Sequence, residues 1–228
     1  MHHMRGLCYG VSRIIQNALT IGPMLEQHAT PKATPTANQV DLTPPEGFRA
    51  VDYTVELEAL PRWVLWLGLL LMIVPLVPFV FLYGVDAFRA DIDFLWVFLG
   101  FILLIIAHEL VHAIGWKLSS GLPWRRFRFG VMWRVLAPYC HAKDPMALTP
   151  YRIGAALPLF ITGILPWLVG LLQADATLTI VGAFLISGAV GDIYVLWVLR
   201  GLPTNALVQD HPSRAGCIAY LPISHVPS

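Results

Sequence analysis

Four stretches of this sequence carry almost no charge: residues 64–85, 94–116, 153–174 and 177–199. Each is long enough to cross the hydrocarbon core of a bilayer as a helix, which takes about 20 apolar residues. The first and third hold no Asp, Glu, Lys or Arg, the second holds only Glu109, and the fourth only Asp192. Buried helices of a soluble protein would need a polar layer around them, and this chain has little to offer. It is 57% hydrophobic and only 13% charged, against about 25% charged in a typical soluble domain. The same numbers exclude a disordered chain. A net charge of +1 gives no whole-chain attraction to nucleic acid. Cys8, Cys140 and Cys217 are odd in number and far apart, so they form no disulfide framework. The expected fold is an all-α membrane protein with four transmembrane helices. Its membrane domain covers 46–222, after a flexible N-terminal extension (1–45) and before a short tail (223–228). The Ala-Thr-Pro-rich stretch 29–37 reads as linker.

Loop charges predict the orientation. Between the second and third spans lie Lys117, Arg125, Arg126, Arg128, Arg134, Lys143 and Arg152, against Asp144 alone. Between the first and second lie Asp86, Asp91 and Asp93 against Arg89. An excess of Lys and Arg marks the cytoplasmic side, so the 117–152 segment and both termini are expected there. Within it, residues 126–136 read RFRFGVMWRVL, with Phe127, Phe129, Val131 and Trp133 at alternate positions around Gly130. Period 2 with β-favouring residues predicts a strand or hairpin; an amphipathic segment lying among headgroups is the alternative. Residues 48–57 alternate partly and fit a short strand or an interfacial segment.

Ionisable groups inside a bilayer are costly and mark function. The spans hold four: His108, Glu109, His112 and Asp192. The first three form His-Glu-Leu-Val-His, an H-E-x-x-H pattern. On a helix the two histidines project from one face and can grip one metal ion, with Glu109 as general base on a metal-activated water. A catalytic zinc takes a third protein ligand and keeps one position open. Counting from Lys117 and Arg200 as edge markers, His108, His112 and Asp192 lie about 13, 8 and 12 Å deep at 1.5 Å per residue. The depths match, so Asp192 is the expected third ligand, with an acceptor that orients a histidine ring as its other role. Gly182, Gly188 and Gly191 are expected to let the fourth span pack closely on a neighbour. Cys140 and His141, past the expected strand, are accessory candidates, since a thiolate binds zinc well. Asp210-His211, followed by Pro212, reads as a turn beyond the bilayer edge.

Residues 108–115 (HELVHAIG), Phe129-Gly130, Tyr139-Cys140 and Gly191-Asp192 together resemble the membrane zincin peptidases, a family similar in pattern to the site-2-type intramembrane metalloproteases. The resemblance covers roughly 47–220. It implies zinc held by His108 and His112, Glu109 as catalytic base, and an aspartate on a later span as third ligand, which maps to Asp192. Site-2 proteases follow that aspartate with glycine; here Ile193 follows it.

The expected activity is intramembrane zinc-dependent hydrolysis of a membrane protein or peptide. The substrate would be unwound locally and held extended along the 127–133 strand. The expected setting is a bacterial or archaeal cell membrane, with the lipid bilayer itself as a partner and no nucleic acid. A metal transporter or sensor would use the same ligands without Glu109 as base, with Pro75 and Pro78 breaking a helix at a transport path. A catalytically silent scaffold is a further alternative. Two histidines four apart on one helix face cannot be opposite axial ligands of one haem. A serine protease is disfavoured because Ser187-Gly188 has no glycine two residues before the serine.

Overall fold

The computed structural model describes residues 42–54, 60–90, 94–133, 137–212 and 214–223. The linker reading of 29–37, residues 1–41 of the expected extension, Cys8 and residues 224–228 of the tail lie outside them.

Among the described residues, four helices are long and apolar enough to cross a membrane: Arg62–Tyr83, Phe94–Ser120, Leu148–Gln173 and Ala176–Gly201. Their outer faces carry large apolar side chains in the open, Phe81 being 87% and Phe94 82% exposed. A water-soluble protein rarely presents such a surface, whereas lipid covers it at no cost. Each helix departs from ideal geometry where its sequence demands it. The first breaks after Ile73 and resumes at Leu76, because Pro75 and Pro78 lack the N–H that the ladder needs. The carbonyl of Pro75 accepts instead from Trp167 Nε1 at 2.7 Å. The second runs past its apolar stretch to Ser120 and ends at Gly121, whose φ of +77° closes the turn. The third is α-helical over Leu148–Pro158, widens into a π-turn segment over Leu159–Ile164, and returns to α-helix over Leu165–Gln173. The widened segment lies between Pro158 and Pro166, and such segments recur at functional sites.

The fold is not purely helical, which corrects the all-α expectation. Among the described residues are six strands: β1 (Phe48–Thr54), β2 (Phe127–Met132), β3 (Ala137–Ala142), β4 (Met146–Ala147), β5 (Leu207–Asp210) and β6 (Gly216–Pro222). β2 and β3 form an antiparallel hairpin, Phe129 opposite Cys140. The strand reading therefore prevails over the interfacial one there, and likewise at β1. The other four make one antiparallel sheet in the order β1-β6-β5-β4. It joins the segment before the first helix to the segment after the fourth. Asp210 thus ends a strand rather than forming a surface turn. Strands from before the first helix, between the second and third, and after the fourth thus meet in one sheet. A core of Trp116, Phe127, Leu148, Tyr151, Leu199, Val208 and Cys217 fills the junction between helix ends and sheets.

Glycines set how closely the third and fourth helices approach. A Cβ on Gly182 would stand 2.4 Å from the Trp167 backbone nitrogen, and one on Gly170 would stand 2.5 Å from that of Thr179. Gly182 therefore packs as expected. Gly188 and Gly191 do not: a Cβ on either meets nothing within 4 Å. Gly182→Val is expected to destabilise by about 3 kcal/mol, since backbone cannot yield to the added methyls. Gly191→Ala is expected to be nearly neutral. Thermal unfolding of the detergent-solubilised protein separates the two.

Candidate metal centre

The helical register of the second span puts His108 and His112 one turn apart, with ring centroids 4.9 Å from each other. Both are buried. Asp192, in the first turn of helix Val190–Val198, reaches them from the fourth span. Its Oδ2 lies 3.1 Å from His108 Nε2 and its Oδ1 3.4 Å from His112 Nε2. Among the described residues, this trio is the group of His, Cys, Asp or Glu that could hold a metal ion, with one ligand atom from each within 4.8 Å of the others.

The far side of each ring shows which electron pairs face inward. His112 Nδ1 lies 2.9 Å from the carbonyl oxygen of Gly154, which can only accept, so this nitrogen carries the proton. His108 Nδ1 lies 3.2 Å from Thr162 Oγ1, whose own hydroxyl donates to the Pro158 carbonyl at 2.8 Å. Thr162 therefore accepts from His108 Nδ1–H. With Nδ1 engaged on its far side, each ring turns Nε2 toward the Asp192 carboxylate. Two imidazole nitrogens and a carboxylate thus converge on one point, where a divalent cation can take the place of the protons that otherwise join them. Two imidazoles and a carboxylate are also a donor set that suits zinc. The π-turn segment contributes Thr162, and the close approach of the second and third helices contributes Gly154. A Cβ at Gly154 would fall 2.1 Å from Trp116 Cδ1, and that Trp ring stacks on His112 at 5.3 Å.

Glu109 points elsewhere. Its Oε2 accepts from the backbone N–H of Cys140 on β3 at 2.6 Å, and it lines the same cavity as His108, His112 and Asp192. Cys140 therefore meets the site through its main chain. Burial, reinforced by the negative charge of Asp210 and Glu109, pushes its thiol well above the ordinary range. A thiol held neutral is a poor metal ligand. Burial lowers the His141 pKa, helped by Arg128 and Lys143 and opposed by Asp210. Neither Cys140 nor His141 belongs to the converging trio.

No sequence motif marks the brace behind β3. The buried Asp210 carboxylate accepts from Ala142 N–H at 2.8 Å and from the Tyr151 hydroxyl at 2.6 Å. Burial raises its pKa, against the pull of those two bonds. The brace fixes the strand whose Cys140 N–H holds Glu109. Asp210→Ala strands two buried donors, at about 1–3 kcal/mol each. The expected result is a loss of about 3 kcal/mol, read by chemical or thermal unfolding.

No curated protein and no solved structure matches the chain. A family model described as "putative zincin peptidase" matches residues 101–207, from about two turns before His108 to the start of β5. That stretch contains the two histidines, Glu109, Asp192, Thr162, Gly154 and the β2–β3 hairpin, and over it the chain is similar to the zincin peptidase family so described.

Proposed function

We propose that the protein is an intramembrane zinc metallopeptidase of the site-2 type. The observation that carries this reading is the convergence of two imidazole Nε2 atoms and the Asp192 carboxylate, with Glu109 on the same cavity wall. A zinc ion there supplies Lewis acidity, bringing the pKa of a coordinated water to about 7 and steadying negative charge on a carbonyl oxygen. The chain's own residues do the rest. Thr162 and Gly154 hold the Nδ1 protons, so the Nε2 lone pairs stay turned inward. The Cys140 N–H fixes one oxygen of Glu109. The other takes the proton of the attacking water and delivers it to the leaving amine nitrogen.

A peptide bond inside a helix is shielded by its own hydrogen bonds, so the substrate must unwind locally. The outward amides of β3 are committed, Cys140 N–H to Glu109 and Ala142 N–H to Asp210, and Pro138 has none to give. The outer edge of β2, at Phe127, Phe129 and Val131, is the edge of a two-stranded sheet and fits an added substrate strand. The basic segment 117–152 favours a cytoplasmic position for the hairpin, and hence cleavage toward the cytoplasmic end of the substrate span.

The transporter reading accounts for the ligands but gives Glu109 no task. Protein reconstituted in vesicles tests the difference. We expect cleavage of a transmembrane peptide that stops with a chelator and returns with zinc. Chelator-insensitive cleavage, or zinc flux without cleavage, contradicts the proposal.

A further inference from the structure

The cavity at the metal centre is much larger than a water and a peptide group require. Its volume is about 770 Å³, within the range of about 300–1,000 Å³ usual for ligand pockets. It has two ends of different chemistry. One holds His108, Glu109, His112 and Asp192; the other is walled by Met72, Phe101, Ile105 and Phe184 from the first, second and fourth helices. Phe101 lies seven residues before His108, and Phe184 eight before Asp192. At 1.5 Å per residue, both helices carry the apolar end about 10–12 Å from the metal-binding trio, away from the hairpin. Phe101 and Phe184 meet edge to face, with centroids 6.0 Å apart, and give that end a firm wall.

Between the two ends, the fourth helix contributes Gly188 and Gly191. They are three residues apart and so share a helix face. The space beside them is open, as nothing lies within 4 Å of where either Cβ would be. These glycines are therefore not required for helix packing, unlike Gly182 and Gly170. What they do is leave the passage from the trio to the apolar wall wide.

We infer that this space is a specificity subsite, receiving a large apolar or aromatic side chain next to the scissile bond, with Gly188 and Gly191 setting the size it admits. The inference rests on the metallopeptidase reading and narrows its substrate class. The favoured substrate carries Leu, Phe or a similar residue at that position, as a transmembrane segment readily does. A side chain anchored there places its own peptide group beside the trio and Glu109. Substituting either glycine narrows the passage without a clash, so the fold tolerates the change. Shortening Phe184 lengthens the subsite.

The test needs no turnover. Zinc-loaded protein is titrated with hydroxamates, which chelate zinc, bearing a methyl, isobutyl or benzyl arm. Wild type is expected to bind the benzyl arm about tenfold or more tighter than the methyl arm, the scale of discrimination that a few buried carbons give. In Gly188→Val/Gly191→Val the benzyl arm is expected to lose about tenfold more affinity than the methyl arm. Phe184→Ala is expected to shift preference the other way, toward a naphthylmethyl arm. Equal affinity for all arms in wild type, or an equal change for all arms in the variants, overturns the subsite while leaving the metal centre standing. If no hydroxamate binds the zinc-loaded wild type, the metal centre falls, and the subsite with it.

Discussion

Glutamine at position 109 is expected to slow peptide hydrolysis by about a thousandfold, in the middle of the range for removing a general base, with metal content unchanged. The carboxamide oxygen can still accept the Cys140 N–H that Glu109 Oε2 accepts at 2.6 Å, so the side chain stays in place. It cannot take a proton. The metal-binding trio does not include Glu109, which is why zinc should remain. Parallel measurement of cleavage rate and zinc per chain checks both halves. Full activity in Glu109→Gln with zinc bound would show that the proton goes elsewhere.

Asp192→Ala is expected to remove tight metal binding altogether. Two imidazoles remain, but the carboxylate that both Nε2 atoms face is gone. Metal that binds only the folded state stabilises it by about 4 kcal/mol at a thousand times its dissociation constant. Wild type should show a zinc-dependent rise in unfolding temperature of that origin, and Asp192→Ala should show almost none. Thr162→Val gives a graded comparison. It removes the acceptor for His108 Nδ1–H and keeps all three ligands, and loss of such an outer partner costs about 10–100-fold in metal affinity. If Asp192→Ala binds zinc as wild type does, Asp192 is not the third ligand.

Much of the site could be read in the sequence because its chemistry is rare in lipid. His108, Glu109 and His112 sit within five residues, so helix periodicity alone puts the histidines on one face. Asp192 stood out as the one other charge in the apolar stretches, and helix arithmetic put it at their depth. What the sequence did not reveal works through main-chain atoms or through distant pairs. A backbone N–H, such as the one Cys140 gives Glu109, has no residue signature, whereas the thiol of Cys140 does. Thr162 reaches His108 only because the helix widens between Pro158 and Pro166. The C-terminal strands are not legible in the sequence for a different reason. Residues 217–220 are buried on both faces, so they show no alternation, and their partner β1 lies at the other end of the described chain. Gly188 and Gly191 look like packing residues in sequence, and only the empty space beside them shows otherwise.

The most direct test of the account is X-ray absorption at the zinc edge on the purified, zinc-loaded protein. The trio predicts one zinc per chain surrounded by nitrogen and oxygen alone at about 2.0–2.2 Å, with the scattering pattern of two imidazoles. A sulfur shell at about 2.3 Å, which would bring in Cys140, or no stoichiometric metal at all, would contradict it.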